Sequence, residues 1–91
     1  MNEIIKLKKH YVYALINPID KNVFYIGKGQ GDRIRSHVKK ALNSDIETDK
    51  YNKIRYIHNQ GEKVLERVIG RFKTKEEALS VESVLIRHVY G

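Results

Sequence analysis

Apolar residues cluster in two short runs in the first third of the chain, and both runs predict β-strands. Residues 10–17 (HYVYALIN) are rich in β-branched and aromatic side chains and end before Pro18, which cannot donate a hydrogen bond to a neighbouring strand. Residues 23–27 (VFYIG) form the second run after a turn-forming stretch. The pair is predicted to be an antiparallel hairpin in which Tyr13 lies opposite Tyr25, with both rings on one side of the sheet.

The segment after the second strand predicts two helices. The first begins after Asp32, which can cap it, and reaches about Asn43. Its apolar positions follow the i, i+4, i+7, i+8 pattern, and they are Ile34, Val38, Ala41 and Leu42. The second helix follows a polar loop and closes at Gly61. Its inward residues are Tyr51, Ile54 and Ile57, while Lys50, Lys53 and Arg55 are expected to remain outside.

The last third of the chain predicts one more strand and one more helix. Residues 64–69 (VLERVI) form the strand, and Thr74 with Glu77 three residues later is a capping box that opens a helix reaching Val89 or Tyr90. The order ββααβα implies an α/β fold of the α+β kind, with a small three-stranded, mainly antiparallel sheet flanked by helices. No linker, repeat or low-complexity tract divides the chain, so residues 1–91 are predicted to form a single domain.

The charge of the chain indicates a polyanionic partner. Its 18 Lys and Arg against 11 Asp and Glu give a formal net charge of +7, and the pI of about 9.7 is in the range typical of nucleic-acid-binding domains. Surplus lysine can also serve solubility alone. The absence of Cys excludes disulfides, thiolate nucleophiles and zinc-thiolate or iron-sulfur sites. No apolar run could span a bilayer, so we expect an intracellular, cytoplasmic protein with no membrane partner.

Glu82 is the most informative candidate for chemistry. On the last helix it falls inside the apolar stripe, between Ala78 and Val89 on one side and Ile86 on the other. A buried, unpaired carboxylate is costly, so Glu82 needs a partner such as a basic residue, a donor cluster or a metal ion. Two structural explanations stay open: an ordinary salt bridge to Arg67 or Arg33, or a position of Glu82 at the exposed end of the stripe. Because a chain this short cannot enclose a large cavity, any chemistry is expected on an open surface.

Arg33 and His37 are four residues apart on the first helix, where we expect them to form a basic pair beside the apolar stripe. A guanidinium and an imidazole suit phosphate chemistry, although such pairs are also common on solvated helices. Residues 28–31 (KGQG) offer backbone N–H groups to an anion but lack the spacing of a nucleotide-binding P-loop. The histidines with no ligand partner on their own element are interpreted as surface or capping residues, and these are His10, His58 and His88.

Together these residues resemble the GIY-YIG nuclease superfamily. Eleven residues separate residues 11–13 (YVY) from residues 25–27 (YIG), and the second motif continues into the Lys-Gly-x-Gly turn of one branch. The motifs are followed in the family's order by Arg33, His37 and Glu82. Tyr11 stands where the family often has Gly, and many members continue beyond the Glu82 helix through a segment with a polar residue. A trimmed domain, a minimal member and a weakened enzyme therefore all stay open.

The resemblance implies a metal-dependent endonuclease, a phosphodiesterase that leaves 5′-phosphate and 3′-hydroxyl ends. By similarity, Glu82 holds one divalent metal ion, with Mg²⁺ the first expectation and Mn²⁺ the second, and Tyr13 is the general base or water orienter. Tyr25 contacts the phosphate or the attacking water, Arg33 steadies the charge on the phosphoryl oxygens, and His37 assists proton transfer. Because a tyrosine with a pKa near ~10 is a poor base at neutral pH, we expect the metal, Lys28 or His37 to lower that value.

The expected substrate is duplex or branched DNA, with RNA as an alternative, held by phosphate contacts that weaken with added salt. The predicted nucleic-acid-binding residues are Lys28, Gly29, Lys39, Lys40, Lys50 and Lys53. The sequence leaves open whether a homodimer is needed to cut both strands. Two other functions also stay open: a catalytically inactive nucleic-acid-binding module of the same fold, and a protein-interaction adaptor whose charge serves solubility.

Overall fold

The computed structural model describes residues 8–90, in which three strands and three helices follow the predicted order. The strands are β1 (His10–Ile16), β2 (Val23–Gly29) and β3 (Leu65–Phe72). The helices are α1 (Arg33–Asn43), α2 (Asp49–Asn59) and α3 (Lys75–Tyr90). The predicted α+β class and ββααβα order are confirmed.

The sheet is antiparallel throughout, with β1 in the centre between β2 and β3. Tyr13 pairs with Gly27 and Leu15 pairs with Tyr25, so the prediction that Tyr13 lies opposite Tyr25 is wrong. Two shifts of one residue cause this difference. A turn centred on Ile19 would pair Ile16 with Asn22, but Ile16 pairs with Val23, and an irregularity between Leu15 and Ile16 moves the register by one more residue. The difference from the predicted register is two residues, which keeps the two tyrosines on the same face of the sheet.

Helices cover both faces of the sheet. On one face Tyr11, Tyr13 and Leu15 of β1 belong to a buried core that includes residues of α1 and α2. On the other face Val12 and Ala14 belong to a second core whose partners from α3 include Ala78, Val81, Leu85 and Ile86. Because alternate residues of β1 serve two cores, this strand is a continuous hydrophobic run in the sequence.

The start of α1 is held by a tyrosine instead of the predicted cap. The side chain of Asp32 makes no capping hydrogen bond. The Tyr11 hydroxyl donates to the carbonyl oxygen of Gly31 at 2.6 Å and accepts the N–H of Ile34 at 3.1 Å. One of the unpaired N–H groups at the helix start is thereby satisfied. Leu42, one of the four apolar positions that predicted α1, is 49% exposed, because the buried face of α1 is formed by other positions.

Arg55 was predicted to remain outside, and this prediction is also wrong. Its Nε donates to the carbonyl oxygen of Ala41 at 2.8 Å. Its Nη2 donates to the carbonyl oxygens of Ser44 at 2.7 Å and Ile46 at 2.8 Å. The guanidinium therefore satisfies carbonyl groups at the end of α1 and in the following loop, and fixes α2 against α1.

The remaining boundaries follow the predicted signals, with one extension. α2 ends just before Gly61, whose φ of +79° favours glycine. Thr74 accepts the N–H of Glu77 at 3.2 Å and caps α3. β3 continues to Phe72 instead of ending at Ile69, because the ladder to β1 extends that far. Within residues 8–90, no helix has the length and apolar character needed to cross a membrane.

Candidate active site

Three aromatic side chains from three elements meet on the face of the sheet that α1 and α2 cover. They are Tyr13 on β1, Tyr25 on β2 and His37 on α1, and we call them the aromatic cluster. The ring centre of His37 lies 5.6 Å from that of Tyr13 and 5.1 Å from that of Tyr25. The two tyrosine rings are 6.2 Å apart, and the Tyr13 hydroxyl forms a hydrogen bond with Nε2 of His37. Both phenols therefore lie beside one imidazole.

Two glycines of the second motif allow side chains of the site to approach the backbone. A Cβ atom on Gly27 would lie 2.7 Å from the hydroxyl oxygen of Tyr13 and 2.8 Å from Cε2 of Tyr25. A Cβ atom on Gly29 would lie 2.8 Å from Cβ of Arg33. Because real Cβ atoms do not approach so closely, any larger residue would displace a side chain of the site. Gly29, predicted as a binding residue, has this packing role.

His37 was predicted to lie beside the apolar stripe of α1 as half of a basic pair, and both parts of that prediction are wrong. The side chain of His37 is 6% exposed, whereas Arg33 is exposed. Burial, followed by the positive charges of Lys50, Arg33 and Lys40, lowers the pKa of His37 to about 4. The imidazole is therefore neutral at pH 7, and Nε2 can accept the Tyr13 hydroxyl proton when the ring carries its own proton on Nδ1.

Burial also controls the acidity of the two phenols. Tyr13 is 1% exposed, and burial raises its pKa well above the ordinary value, with Arg33 acting in the opposite direction. Tyr25 is half-buried, and burial followed by the negative charge of Glu82 raises its pKa. The metal, Lys28 or His37 was expected to lower the pKa of Tyr13. In the free protein burial raises this pKa instead, and Arg33 only partly offsets the rise. The site is also less open than predicted, since Tyr13 and His37 are buried.

Glu82 lies on α3, which packs against the opposite face of the sheet. It is half-buried, and Ala78 and Leu85, which lie one turn before and after it, are part of the core beneath α3. The carboxylate therefore occupies the apolar stripe, as the periodicity predicted. Its negative charge raises the pKa of Tyr25 and, more weakly, of Tyr13. Glu82 thus acts electrostatically on the aromatic cluster from the other side of the sheet.

The described residues offer a metal ion a single carboxylate at this place. Within residues 8–90, no group of three or more His, Cys, Asp or Glu side chains is gathered that could hold a metal ion by itself. Mg²⁺ commonly keeps several waters and takes one or two carboxylates together with substrate phosphates. A half-buried Glu82 whose charge acts on both phenols fits that ligand set, with substrate phosphates and waters as the further ligands.

Cationic side chains surround the aromatic cluster. Nζ of Lys50 lies 4.4 Å from the ring centre of Tyr25 and 5.0 Å from that of Tyr51, so the prediction that Lys50 remains outside is wrong. Burial, followed by the charges of Arg33 and Lys40, lowers the pKa of Lys50. The three cations therefore repel one another across the site, and a bound phosphate would relieve this repulsion.

The other predicted binding residues lie elsewhere. Lys28 and Gly29 line a cleft beside Arg33. Lys39 is exposed on α1 next to a depression that also includes His58. Nε2 of His58 is buried with no hydrogen-bond partner in the described part of the chain, so its interpretation as a surface or capping residue is wrong. Lys53 is exposed on α2.

Tyr11 supports the site although the sequence interpretation gave it no part in the chemistry. Its ring lies edge-on to that of Tyr13, with the ring centres 5.8 Å apart. Its hydroxyl forms hydrogen bonds with Gly31 and Ile34, which lie on the two sides of the turn that leads into α1. The guanidinium of Arg71 lies 5.3 Å from the centre of the Tyr11 ring. The available signal was alternation, because Tyr11 and Tyr13 share one face of β1.

Comparison with known proteins identifies the family. The chain matches the family model described as the LEM-3-like GIY-YIG domain over residues 8–90. The match includes both tyrosine motifs and the positions of Arg33, His37 and Glu82. Neither the curated proteins nor the solved structures give a match to this chain. Because the family model covers nearly the whole chain, which also carries the expected fold, the protein belongs to the LEM-3-like GIY-YIG domain family of the GIY-YIG nuclease superfamily.

Proposed function

We propose that the protein is a divalent-metal-dependent endonuclease that hydrolyses phosphodiester bonds in DNA to 5′-phosphate and 3′-hydroxyl ends. Membership of the family supports a nuclease function in general. The observation that carries the specific proposal is the hydrogen bond between Tyr13 and a neutral His37, placed among the cations Arg33 and Lys50. This arrangement offers a proton acceptor next to a binding surface for phosphate.

In the proposed reaction, cationic side chains bind the phosphate group. Arg33, Lys40 and Lys50 lower the pKa of His37, which places their charges close to the reacting groups. The planar guanidinium of Arg33 can bind two non-bridging phosphate oxygens at once. It then stabilises the negative charge that develops on these oxygens in the transition state. Tyr25, which is half-buried, is the phenol proposed to contact the phosphate or the attacking water.

The Tyr13–His37 pair provides the proton path. The oxygen of Tyr13 accepts a proton from the attacking water while the phenol's own proton moves to Nε2 of His37. The water oxygen attacks phosphorus, the P–O3′ bond breaks, and the 3′ oxygen takes a proton from solvent. In the free protein a His37 pKa of about 4 disfavours this transfer. A bound phosphate offsets the charges of Lys50 and Arg33, so it raises the pKa of His37 when the proton must be accepted.

Glu82 is the residue proposed to hold the divalent metal ion. When bound, the ion supplies Lewis-acid stabilisation of the phosphoryl oxygens. Mg²⁺ is the first expectation and Mn²⁺ the second, because both prefer oxygen ligands. The carboxylate lies in an apolar stripe, where an unpaired charge is unfavourable, and this supports a role beyond folding.

A plasmid-nicking assay tests the proposal. We expect the wild type to nick supercoiled DNA in Mg²⁺ or Mn²⁺ and to lose activity in EDTA. Loss of one electrostatic stabiliser typically costs about 10²-fold or more in rate, so Glu82→Ala should fall by at least that factor. The matched control is Glu76→Ala, which removes an exposed carboxylate from the first turn of α3 and should retain activity. Equal cleavage by Glu82→Ala and wild type would contradict the proposal.

The burial of Tyr13 favours a second candidate, a catalytically inactive nucleic-acid-binding module. A buried phenol with a raised pKa is a weak proton acceptor for a water molecule outside. This candidate predicts salt-sensitive DNA binding without cleavage in either metal. The nicking assay and a binding titration on the same preparation separate the two functions, and parallel titrations with RNA test the preference for DNA.

A further inference from the structure

A cleft of about 340 Å³ lies beside the aromatic cluster, where four elements of the fold come together. Each element contributes one basic or titratable side chain from near its end. These side chains are His10 at the start of β1, Lys28 near the end of β2, Arg33 at the start of α1 and Lys75 at the start of α3. The volume is near the lower end of the range for small-molecule sites, which suits a backbone phosphate with part of its sugar.

The charge of the cleft is of one sign. None of the residues that line it is acidic. The carboxylates adjacent in sequence to lining residues are Asp32, Glu76 and Glu77, and none of them lines the cleft. The carboxylate of Glu77 accepts the Thr74 hydroxyl at 3.1 Å, so it is engaged in the cap of α3. Three permanent cations that converge from separate elements repel one another, and an anion bound between them would stabilise the arrangement.

The cleft shares Arg33 with the candidate active site. Arg33 lines it, and the charge of the same guanidinium acts on Tyr13, Tyr25 and His37. On the α3 side the lining includes Ala78, which lies one helical turn before Glu82 on the same face of α3. A nucleic-acid strand whose scissile phosphate lies at Arg33 can therefore place a neighbouring phosphate in the cleft.

We propose that this cleft binds the backbone phosphate adjacent to the one that is cut, and that Lys75 is its principal ligand, with Lys28 and His10 as further donors. The inference rests on the proposed nuclease function and adds to it the path of the strand beyond the reacting phosphate. Neither Lys75 nor His10 is part of the motifs that identify the family. Contacts of this kind fix the register of a strand without reading its bases.

The first test is the salt dependence of DNA binding, measured by fluorescence anisotropy in EDTA so that no cutting occurs. Loss of one phosphate contact lowers the slope of log K against log salt by about 0.9 for duplex DNA, and Lys75→Gln should show that change. The matched control is Lys21→Gln, which removes the same charge from the turn between β1 and β2 and should leave the slope unchanged. Thermal unfolding of both variants confirms that each is folded.

The second test identifies the phosphate. A series of duplexes, each with one neutral methylphosphonate near the cut site, is bound to wild type, to Lys75→Gln and to the control Lys21→Gln. We expect the wild type to bind more weakly when the phosphate next to the cut is neutral, and Lys75→Gln to be insensitive to that change alone. If the wild type binds and cuts while Lys75→Gln matches Lys21→Gln in both tests, the cleft inference is overturned. If the wild type neither binds nor cuts, the proposed function itself fails.

Discussion

Tyr13 and His37 form a pair whose chemistry is set by what surrounds it. Burial and three nearby cations favour the neutral imidazole, and burial favours the neutral phenol. In the free protein, a neutral phenol and a neutral imidazole therefore share this hydrogen bond. Transfer of a proton along it requires a negative charge nearby, which a phosphate supplies. Under the proposed function, the pair therefore acts as a base only after substrate has bound.

The low pKa of His37 predicts how stability depends on pH. The folded pKa of about 4 lies below the ordinary value of 6.5, so between these values the unfolded chain binds more protons than the folded one. The free energy of unfolding should therefore fall as pH falls through this window, by about 2 kcal/mol between pH 7.5 and pH 5 for this one group. Urea denaturation at a series of pH values measures the change.

The control for this prediction uses two single variants. His37→Gln keeps an acceptor for the Tyr13 hydroxyl but cannot titrate, so its curve should be flatter than that of the wild type over this pH range. His88→Gln removes an exposed histidine from the last turn of α3 and should leave the slope unchanged. The interpretation of His37 is wrong if the curves of His37→Gln and wild type run parallel.

Replacement of Lys50 on α2 should change the pKa of His37 on α1. Among the charges that lower the pKa of His37, that of Lys50 has the largest effect. Lys50→Gln should therefore raise the pKa of His37 toward its ordinary value, as measured from the pH dependence of its imidazole NMR signals. Lys53→Gln removes an exposed charge from the same helix and should leave the pKa unchanged. Identical titration curves in the two variants would contradict the proposed electrostatic contact.

The helices that cover the aromatic cluster depend on polar side chains at their ends. The Tyr11 hydroxyl accepts a hydrogen bond at the start of α1, and the Arg55 guanidinium donates one to a carbonyl group near its end. Both residues lie on other elements, β1 and α2, so the position of α1 is fixed by tertiary contacts more than by its own caps. His37 lies between these two attachments. Its orientation toward Tyr13 therefore depends on both.

Replacement of Arg55 tests this dependence. Lysine keeps the charge, but its single ammonium group cannot reproduce a fork that reaches Ala41, Ser44 and Ile46. Lost hydrogen bonds to a charged group and unpaired carbonyls should lower the free energy of unfolding of Arg55→Lys by about 1–3 kcal/mol. In the same urea titration, Arg67→Lys on exposed β3 should change it by less than about 0.5 kcal/mol. A loss no larger in Arg55→Lys than in Arg67→Lys would count against the attachment.

The element order could be predicted from the sequence because each element carries a strong local signal. Three of these signals predicted the observed structure: the capping pair Thr74 and Glu77, the glycine at Gly61, and the apolar stripe that contains Glu82. The failures concern tertiary contacts. The register of β1 depends on an irregularity that no short-range pattern reveals, and the burial of His37 depends on which face of α1 meets Tyr13. Helical spacing says which residues share a face, but not which face packs inward.

The molecule as a whole places its candidate site across both faces of a three-stranded sheet. The phenols and His37 lie on the side covered by α1 and α2, and Glu82 lies on the helix that covers the other side. A half-buried carboxylate in the apolar stripe of α3 breaks the pattern that would give the most stable fold. Local violations of this kind are typical of functional sites, where stability is given up for chemistry.

Glu82→Leu should therefore make the protein more stable and less active at once. Leucine continues the apolar stripe beside Ala78 and Leu85, and because the position is half-buried the free energy of unfolding should rise by about 1 kcal/mol. Urea denaturation in EDTA measures this gain. The nicking assay should show no activity, since no carboxylate remains to hold a metal ion.

The matched control for this substitution is Glu76→Leu, at an exposed position of the same helix. It loses a carboxylate that favourably faces the positive helix start, so it should gain no stability and should remain active. Added Mg²⁺ should raise the melting temperature of the wild type and of Glu76→Leu but not of Glu82→Leu, because a ligand stabilises only a folded state that binds it. If Glu82→Leu is less stable than the wild type in EDTA, Glu82 serves the fold, and its position in the stripe no longer supports a metal-binding role.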